Sequence, residues 1–251
     1  AIATTIGRGV GVILQFWLLY KGSKHIQVKI AQMYIDTKVM LNIVKTSLGG
    51  IGQMFIAMTS WIFLLRILAE LGAETVAGST IAIRIMMFTM MPAWGLSNAA
   101  ATLVGQNLGA EKPDRAESSV WKIGTYNMFF LVIVSIIYFF FNKELMMIFT
   151  QDTRVIEVGA SWLKIVSYGY FIYGWWMVSV QAFNGAGDTK TPTKINIVFF
   201  WLFQIPLSYS LSILLDWKEL GVFWGMFISE ISVGLFTLWL FTKGKWKNIK
   251  I

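Results

Sequence analysis

The sequence predicts an all-α polytopic membrane protein with about seven transmembrane helices. Hydrophobic residues make up 56% of the 251-residue chain and charged residues only 14%, whereas about a quarter of a soluble domain is charged. The mean hydropathy is +0.64. Apolar runs of about 20 residues, the length at which a helix crosses a bilayer core, recur along the whole chain. These observations place the protein in a lipid bilayer.

Seven apolar runs are long enough to form transmembrane helices. The third and fifth are longer than one straight crossing needs, so we expect them to tilt or to extend beyond the bilayer. The predicted spans cover residues 1–20, 46–70, 75–108, 120–142, 156–184, 193–215 and 219–242.

Basic residues are unevenly distributed between the connections of these spans. The connections after the first, third and fifth spans, together with the C-terminal tail, hold fourteen Lys and Arg residues, against four in the alternate connections. Because basic loops stay on the cytoplasmic side, we predict a multi-pass protein of the cell (inner) membrane with a cytoplasmic C-terminus. Topology and contact with anionic membrane lipids then explain the net charge of +8 without a nucleic acid partner. The fourteen are Lys21, Lys24, Lys29, Lys38, Lys45, Lys112, Arg115, Lys122, Lys190, Lys194, Lys243, Lys245, Lys247 and Lys250.

The first 45 residues differ from the rest. Residues 1–20 begin apolar, without the charged segment and cleavage site of a signal peptide, so we expect the chain to be cut from a longer protein. In residues 21–45 apolar positions alternate with lysines, which favours an amphipathic helix on the cytoplasmic headgroups. A partly ordered cytoplasmic linker is the alternative. Under either interpretation this segment is a boundary between residues 1–20 and residues 46–251.

Two stretches of the chain repeat one pattern. GLSNAAATLVGQNLGAEKP (Gly95–Pro113) and QAFNGAGDTKTP (Gln181–Pro192) each run from small apolar residues through glycines into a short loop that contains lysine. Both loops fall on the predicted cytoplasmic side. A repeated geometry of this kind indicates a transporter core rather than a water-soluble enzyme.

Prolines and small residues inside the spans predict local features of the helices. Pro92 and Pro206 each remove a helix hydrogen bond, so we expect a kink at both positions. Small residues also recur every four positions in the last and first spans, which favours close helix packing. These rows are Gly221, Gly225 and Ser229, and Gly7 and Gly11.

The two repeated stretches also carry a family resemblance. IAIRIMMFTMMPAWGLSNAAATLVGQNLGAEKPDRAE (Ile81–Glu117) resembles the eighth helix and following loop of multidrug and toxic compound extrusion (MATE) transporters, and QAFNGAGDTKTPT resembles the loop after their tenth helix. The resemblance implies that residues 1–20 are the last helix of a truncated N-terminal lobe. Residues 46–251 would then form the six-helix C-terminal lobe of a two-lobed, MATE-like transporter.

The resemblance further implies a secondary active antiporter. Such a protein exports small organic cations or drugs in exchange for sodium ions or protons, by alternating access between its two lobes. The expected partners are therefore these cations, membrane lipids and the missing N-terminal lobe of the same protein.

Glu230 is the ion-coupling candidate. It is the one acidic residue near the middle of a predicted span, and an ionisable residue inside a membrane indicates function because an unpaired charge there is costly. The structural alternative is that Glu230 pairs with one of the intramembrane charges Arg8 and Arg84, or hydrogen-bonds to a serine.

Two positions depart from the pattern that the resemblance implies. Several members carry a Glu in the seventh helix and an Asp in the tenth, which bind the coupling ion or substrate. Alignment by spacing puts Ala57 at the first position and Tyr173 or Gly174 at the second. Coupling by sodium or protons must then depend on acids in the missing N-terminal lobe or on Glu230. We expect no cofactor and no metal site, and the absence of cysteine excludes cysteine ligands.

An aromatic face supplies the substrate-binding candidates. Tyr173, Met177 and Gln181 share one helix face at four-residue spacing, and aromatic faces attract organic cations. The alternative is that such aromatics anchor the helices at the membrane interface or pack the bundle. The resemblance puts Ser79 and Thr80 in the place of a His-Gln pair seen in some relatives, which makes Thr80 a further candidate. Asn98 is polar within the third span, and we expect it to hydrogen-bond between helices.

Other functions fit the sequence less well. A lipid-linked oligosaccharide flippase of the same superfamily would need a cavity lined with Arg and Lys, and the only arginines in these spans are Arg8, Arg66 and Arg84. A seven-span receptor is the other alternative, although a retinal protein would need a lysine in the middle of residues 219–242. The chain lacks HExxH, GxSxG and a phosphate-binding glycine loop, so we predict that it is not an enzyme and has no catalytic residues.

Overall fold

A computed structural model describes residues 2–22 and 35–248, and every element within these ranges is a helix. The chain divides into two compact units, residues 1–45 and 46–251. The interfacial helix expected in residues 21–45 falls mainly on residues 23–34, outside the described residues. The helices are α1 Ile2–Lys21, α2 Thr37–Glu70, α3 Ala73–Gly109, α4 Pro113–Met147, α5 Thr153–Ser167, α6 Tyr170–Gly185, α7 Lys190–Leu214 and α8 Lys218–Thr242, followed by a 3₁₀ turn at Lys245–Asn248.

Local sequence signals account for several helix starts. Asp36 accepts a hydrogen bond from the backbone N–H of Lys38 at 2.9 Å, at the start of α2. Asp152 accepts one from Arg154 at 2.9 Å, at the start of α5. Side-chain oxygens at these positions satisfy backbone donors that the first helical turn leaves free. Pro113 occupies the first position of α4, where its missing N–H costs nothing.

Five of the described helices are long and apolar enough to cross a membrane, namely α2, α3, α4, α7 and α8. The all-helical membrane fold is therefore confirmed, whereas the count of seven spans is not. The fifth predicted span, residues 156–184, is not one helix but two, α5 and α6.

The break between α5 and α6 lies at Tyr168 and Gly169. Gly169 has φ −148° and ψ 11°, outside the helical region. Side chains of α8 pack against Gly169. A Cβ built on Gly169 would lie 2.3 Å from the Cδ1 atom of Ile231 and 2.9 Å from the ring of Phe227. A side chain at position 169 would therefore require the Ile231 and Phe227 side chains of α8 to move.

The two short helices together follow α8 from one end of the bundle to the other. At the start of α5, Arg154 donates a 2.6 Å hydrogen bond to Glu219, at the start of α8. Near the end of α6, Phe183 meets Phe241 edge to face, with ring centroids 6.4 Å apart. One crossing of the bundle is thus built from two helices.

Aromatic side chains fill the core of the second unit. Trp162 of α5 stacks on Phe223 of α8 with ring centroids 4.8 Å apart, and also on Trp61 of α2 at 6.0 Å. Trp162 and Phe223 are 2% and 0% exposed. Between helices in a membrane, such rings contribute through close van der Waals packing and favourable ring geometry.

The two repeated stretches meet at one end of the bundle. Gly185 lies so close to α3 that an added Cβ would be 2.3 Å from the Ala101 carbonyl oxygen. Beside this contact, Gln181 donates a hydrogen bond to the Asn98 Oδ1 atom at 3.1 Å, which is the hydrogen bond between helices expected of Asn98. Gln53 of α2 donates to Asn184 at 3.1 Å. This polar network joins α2, α3 and α6.

α7 changes its helical pitch along its length. It is α-helical at Lys190–Asn196 and Ile205–Tyr209, and π-helical at Ile197–Gln204 and Ser210–Leu214. The π turns flank Pro206, which has no N–H to donate. In contrast, α3 runs without interruption through Pro92.

The small-residue row of α8 packs closely against α7. A Cβ built on Gly221 would lie 2.4 Å from the Ser212 backbone nitrogen, and one built on Gly225 would lie 2.7 Å from the Ser208 Cα atom. The predicted close packing is therefore confirmed for α8. It is not found in α1, where no such atom lies within 4 Å of a Cβ built on Gly7 or Gly11.

The C-terminal turn folds back onto the start of α4. Trp246 is 1% exposed and stacks on Phe241 with ring centroids 4.9 Å apart. Next to it, the Lys247 ammonium contacts Glu117 at 2.5 Å and Asp114 at 3.4 Å. The hydrogen bond to Glu117 raises the pKa of Lys247 above its ordinary value. The contact is therefore charged at neutral pH and is lost as the pH rises through that pKa.

Candidate functional site

A cavity of about 180 Å³ opens between α2, α6, α7 and α8 in the second unit. It contains one acidic side chain, Glu230, and none of its lining residues is basic. Its other polar groups are Ser60, Gln204 and Tyr173, and the rest of the wall is apolar or aromatic. The complete lining is Ala57, Ser60, Trp61, Leu64, Tyr173, Trp176, Phe200, Gln204, Met226 and Glu230.

Glu230 has no ion-pair partner among the described residues. The ion pairs found there join Arg154 to Glu157 and Glu219, and Lys247 to Asp114 and Glu117. Arg84 of α3 is exposed and takes no part in them, so pairing between Arg84 and Glu230, the structural alternative, is not observed. Arg8 is exposed on α1, in the first unit.

A second, very small cavity lies on another side of Glu230, at the break between α5 and α6. Its volume of about 10 Å³ leaves room for about one water molecule. Glu230 and Tyr173 line both cavities. The carboxylate thus lies between the larger cavity and the point where the backbone of the fifth crossing is interrupted. The small cavity is lined by Val166, Gly169, Tyr170, Tyr173, Phe227, Glu230 and Ile231.

Tyr173 belongs to an aromatic series along α6. Its ring lies 4.7 Å from that of Trp176 and stacks on Tyr170 at 6.0 Å. Trp176 in turn meets Phe200 of α7 edge to face at 6.0 Å. Aromatic faces next to a carboxylate attract an organic cation by both quadrupole and charge.

The other substrate-binding candidates lie away from this cavity. Met177 is 5% exposed and packs in the hydrophobic core. Gln181 is part of the polar network with Asn98 and Asn184. The Thr80 hydroxyl donates to the Val76 carbonyl within α3 at 2.7 Å. Of the predicted site residues in the second unit, Tyr173 and Glu230 line the same cavity.

Ala57 lines the same cavity as Glu230. The two positions aligned with the family's acidic pattern, Ala57 and Tyr173, therefore both face the carboxylate, which α8 supplies here. Gly174 instead packs against α4, where an added Cβ would be 3.1 Å from Leu131.

Ser60 and Gln204 were not singled out from the sequence. Both are buried, with exposures of 2% and 4%. The Ser60 hydroxyl lies 3.0 Å from Gln204 Oε1 and 3.2 Å from the Phe200 carbonyl oxygen. The available signal was the single polar residue in FFWLFQIP, two positions before Pro206. Within the described ranges, no cluster of three or more His, Cys, Asp or Glu side chains could hold a metal ion.

A bundle of long apolar helices, with an ionisable side chain in a cavity between them, is the architecture of a polytopic membrane protein. The MatE family model matches residues 49–210. The chain belongs to the MatE family.

Similar proteins agree with this assignment. The chain is 27% identical over 248 residues to the probable multidrug resistance protein NorM of Thermotoga maritima, a match that covers 99% of this chain and 53% of that protein. It is 24% identical over 174 residues to Protein DETOXIFICATION 31 of Arabidopsis thaliana, with coverages of 69% and 33%.

Solved structures show the same fold. A MATE crystal structure in the bent conformation matches with a TM-score of 0.84 at 17% identity, over 94% of this chain and 53% of that one. An outward-facing multidrug resistance MATE family transporter matches with a TM-score of 0.76 at 18% identity, over 84% and 47%. The chain thus spans about half the length of these transporters.

Proposed function

We propose that the chain is one lobe of an antiporter that exports organic cations or drugs in exchange for sodium ions or protons, with Glu230 as its cation-binding carboxylate. The observation that carries the proposal is the Glu230 side chain in a cavity between four helices, without an ion-pair partner among the described residues. An uncompensated carboxylate is costly inside a membrane. A cation that binds there and leaves again offsets this cost during part of a transport cycle.

The aromatic wall supports an organic cation as the exported substrate. Trp61, Tyr173 and Trp176 surround the space that the carboxylate faces. Each aromatic face contributes about 0.5 to 2 kcal/mol to cation binding, depending on how dry the site is. The second lobe, which would complete the cavity, is expected in the remaining half of the protein.

We further propose that the protein lies in the cell (inner) membrane with its C-terminus in the cytoplasm. Within the second unit, the basic connections after α3, α6 and α8 lie at one end of the bundle, where the end of α6, the start of α4 and the C-terminal turn pack together. A single basic end is what the positive-inside rule requires.

Dye efflux from cells that carry the full-length protein tests the proposal. The Glu230→Gln variant keeps the shape and removes the charge, so we expect it to abolish efflux of ethidium, an organic cation. The control is Glu144→Gln, because Glu144 is exposed on α4; efflux in this variant should equal that of the wild type. Wild-type efflux in the Glu230→Gln variant, with unchanged ion dependence, would contradict the proposal.

A further inference from the structure

We propose that a groove beside Lys143 and Lys164 binds the headgroup phosphate of an anionic phospholipid. The groove lies at the end of the bundle where Arg154 meets Glu219, which is the outer end in the orientation that we propose. It has a volume of about 390 Å³ and is formed by the end of α4, α5 and the start of α8. None of its lining residues lines either cavity beside Glu230, so the inference does not depend on transport at that carboxylate.

The first argument is the charge that the groove leaves uncompensated. Three basic side chains line it, Lys143, Arg154 and Lys164, together with two acidic ones. Arg154 contacts both acidic side chains, Glu219 at 2.6 Å and Glu157 at 3.9 Å. Lys143 and Lys164 take part in no ion pair among the described residues. The groove therefore has a net charge of +1, which a lipid with one negative phosphodiester balances.

The second argument is the position of Lys164. This residue is exposed, about three turns after the start of α5 at Thr153. A charge at such a depth in a membrane helix is costly unless it finds a partner or reaches the interface. Helical side chains lean toward the N-terminus of their helix, so Lys164 extends toward the groove and toward Lys143. Its ammonium lies 5.8 Å from the centroid of the Phe139 ring.

The third argument is the apolar surface next to the groove. Phe139 of α4 meets Tyr168 edge to face at 6.0 Å, and Tyr168 stacks on Trp224 of α8 at 6.2 Å. Phe139 and Tyr168 are 40% and 47% exposed. With the phosphate at Lys164, the acyl chains of a phospholipid would lie against these rings. A free phosphate ion would make no use of this surface, so the surface favours a lipid.

Native mass spectrometry of the purified full-length protein, titrated in detergent with dioleoyl phosphatidylglycerol, tests the site. We expect a saturable first binding event that is tighter than for dioleoyl phosphatidylcholine, which has no net charge. Lys143→Gln and Lys164→Gln should each raise the Kd for phosphatidylglycerol by about 5-fold, and the double variant by about 25-fold. Lys164→Arg keeps the charge and should restore binding.

The matched control is Lys218→Gln. Lys218 is exposed at the start of α8, at the same end of the bundle, but does not line the groove. The control removes the same charge and should bind phosphatidylglycerol as the wild type does. Size-exclusion chromatography of each variant separates misfolding from loss of binding. If Lys164→Gln is misfolded, Lys143→Gln decides, and the reverse.

Four outcomes would overturn the inference. The first is wild-type affinity for phosphatidylglycerol in the folded double variant. The second is an equal loss of affinity in Lys218→Gln, which would indicate a general effect of charge at this end of the bundle. Equal affinity for phosphatidylcholine would show that the lipid need not be anionic. Displacement of phosphatidylglycerol by an equal concentration of inorganic phosphate would show a site for the free ion rather than for a lipid.

Discussion

Tyr173 is the aromatic side chain that the two cavities of the candidate site share. It lines both cavities beside Glu230, and its ring contacts Tyr170 and Trp176. These contacts hold the ring in place, so little side-chain entropy would be lost when a cation binds against it. Its role is therefore expected to be substrate binding rather than ion coupling.

Replacing Tyr173 should separate these two roles. Tyr173→Ala removes one aromatic face, worth about 0.5 to 2 kcal/mol, and should raise the KM for ethidium efflux by roughly 2- to 30-fold. Tyr173→Phe keeps the face and should have nearly the wild-type KM. The measurement is efflux rate against ethidium concentration, with Tyr126→Ala, at an exposed position on α4, as control. An unchanged KM in Tyr173→Ala would remove Tyr173 from the binding site.

Of the residues that line the larger cavity, the sequence analysis predicted Glu230 and Tyr173 as site residues, but not their polar and aromatic neighbours. Glu230 is conspicuous in any apolar span because ionisable groups are rare there. Ser60 and Gln204 resemble many other polar residues in membrane helices, and only the packing of α2 against α7 brings them together. Met177 was predicted to bind substrate because it shares a helix face with Tyr173, but it lies in the hydrophobic core.

The break between α5 and α6 is a feature of a helix that hydropathy along the sequence does not reveal. Residues 156–184 read as one long apolar run, because Tyr168 and Gly169 interrupt the helix without interrupting the hydrophobicity. The long helices α2, α3, α4, α7 and α8 follow from the distribution of hydropathy along the sequence and were predictable. The break depends on how closely α8 approaches Gly169, which is a tertiary property.

The contact between α3 and α6 yields a stability prediction. In Gly185→Ala the new methyl group would lie 2.3 Å from the Ala101 carbonyl oxygen, so overpacking should cost about 1 to 3 kcal/mol. The matched control is Gly95→Ala in α3, where an added Cβ meets no atom within 4 Å and helix propensity improves by up to about 1 kcal/mol.

Melting temperatures of the purified full-length variants in detergent measure both effects. The melting temperature should fall for Gly185→Ala and should stay equal or rise for Gly95→Ala. Equal melting temperatures for Gly185→Ala and the wild type would mean that the two helices are not in close contact at this point.

At the scale of the whole molecule, the two ends of the bundle differ in charge and in construction. One end combines the contact of Gly185 with Ala101, the polar network of Gln181 and Asn98, and the ion pairs of Lys247 with Glu117 and Asp114. The other end joins the start of α5 to the start of α8 through Arg154 and Glu219. A bundle with these two ends has one orientation in the membrane under the positive-inside rule.

Cysteine labelling tests this orientation. The chain has no cysteine, so single cysteines can be introduced into a full-length protein whose other cysteines, if any, are removed. A membrane-impermeant maleimide applied to intact cells should label Gln151→Cys and not Ala110→Cys, since both positions are exposed but lie in loops at opposite ends. Inside-out vesicles should give the reverse pattern. Labelling of Ala110→Cys in intact cells would invert the proposed topology.

The break between α5 and α6 also affects whether water and ions could leak across the membrane through the bundle. With 15 and 16 residues, neither helix spans a hydrocarbon core of about 30 Å by itself, at about 1.5 Å per residue. In the membrane orientation that we propose, the interruption lies within the hydrocarbon core, beside Glu230, where unpaired polar backbone groups would bind water. Phe227 and Ile231 fill it and leave a space of about 10 Å³. In the antiporter we propose, this seal keeps the ion gradient from dissipating without exchange.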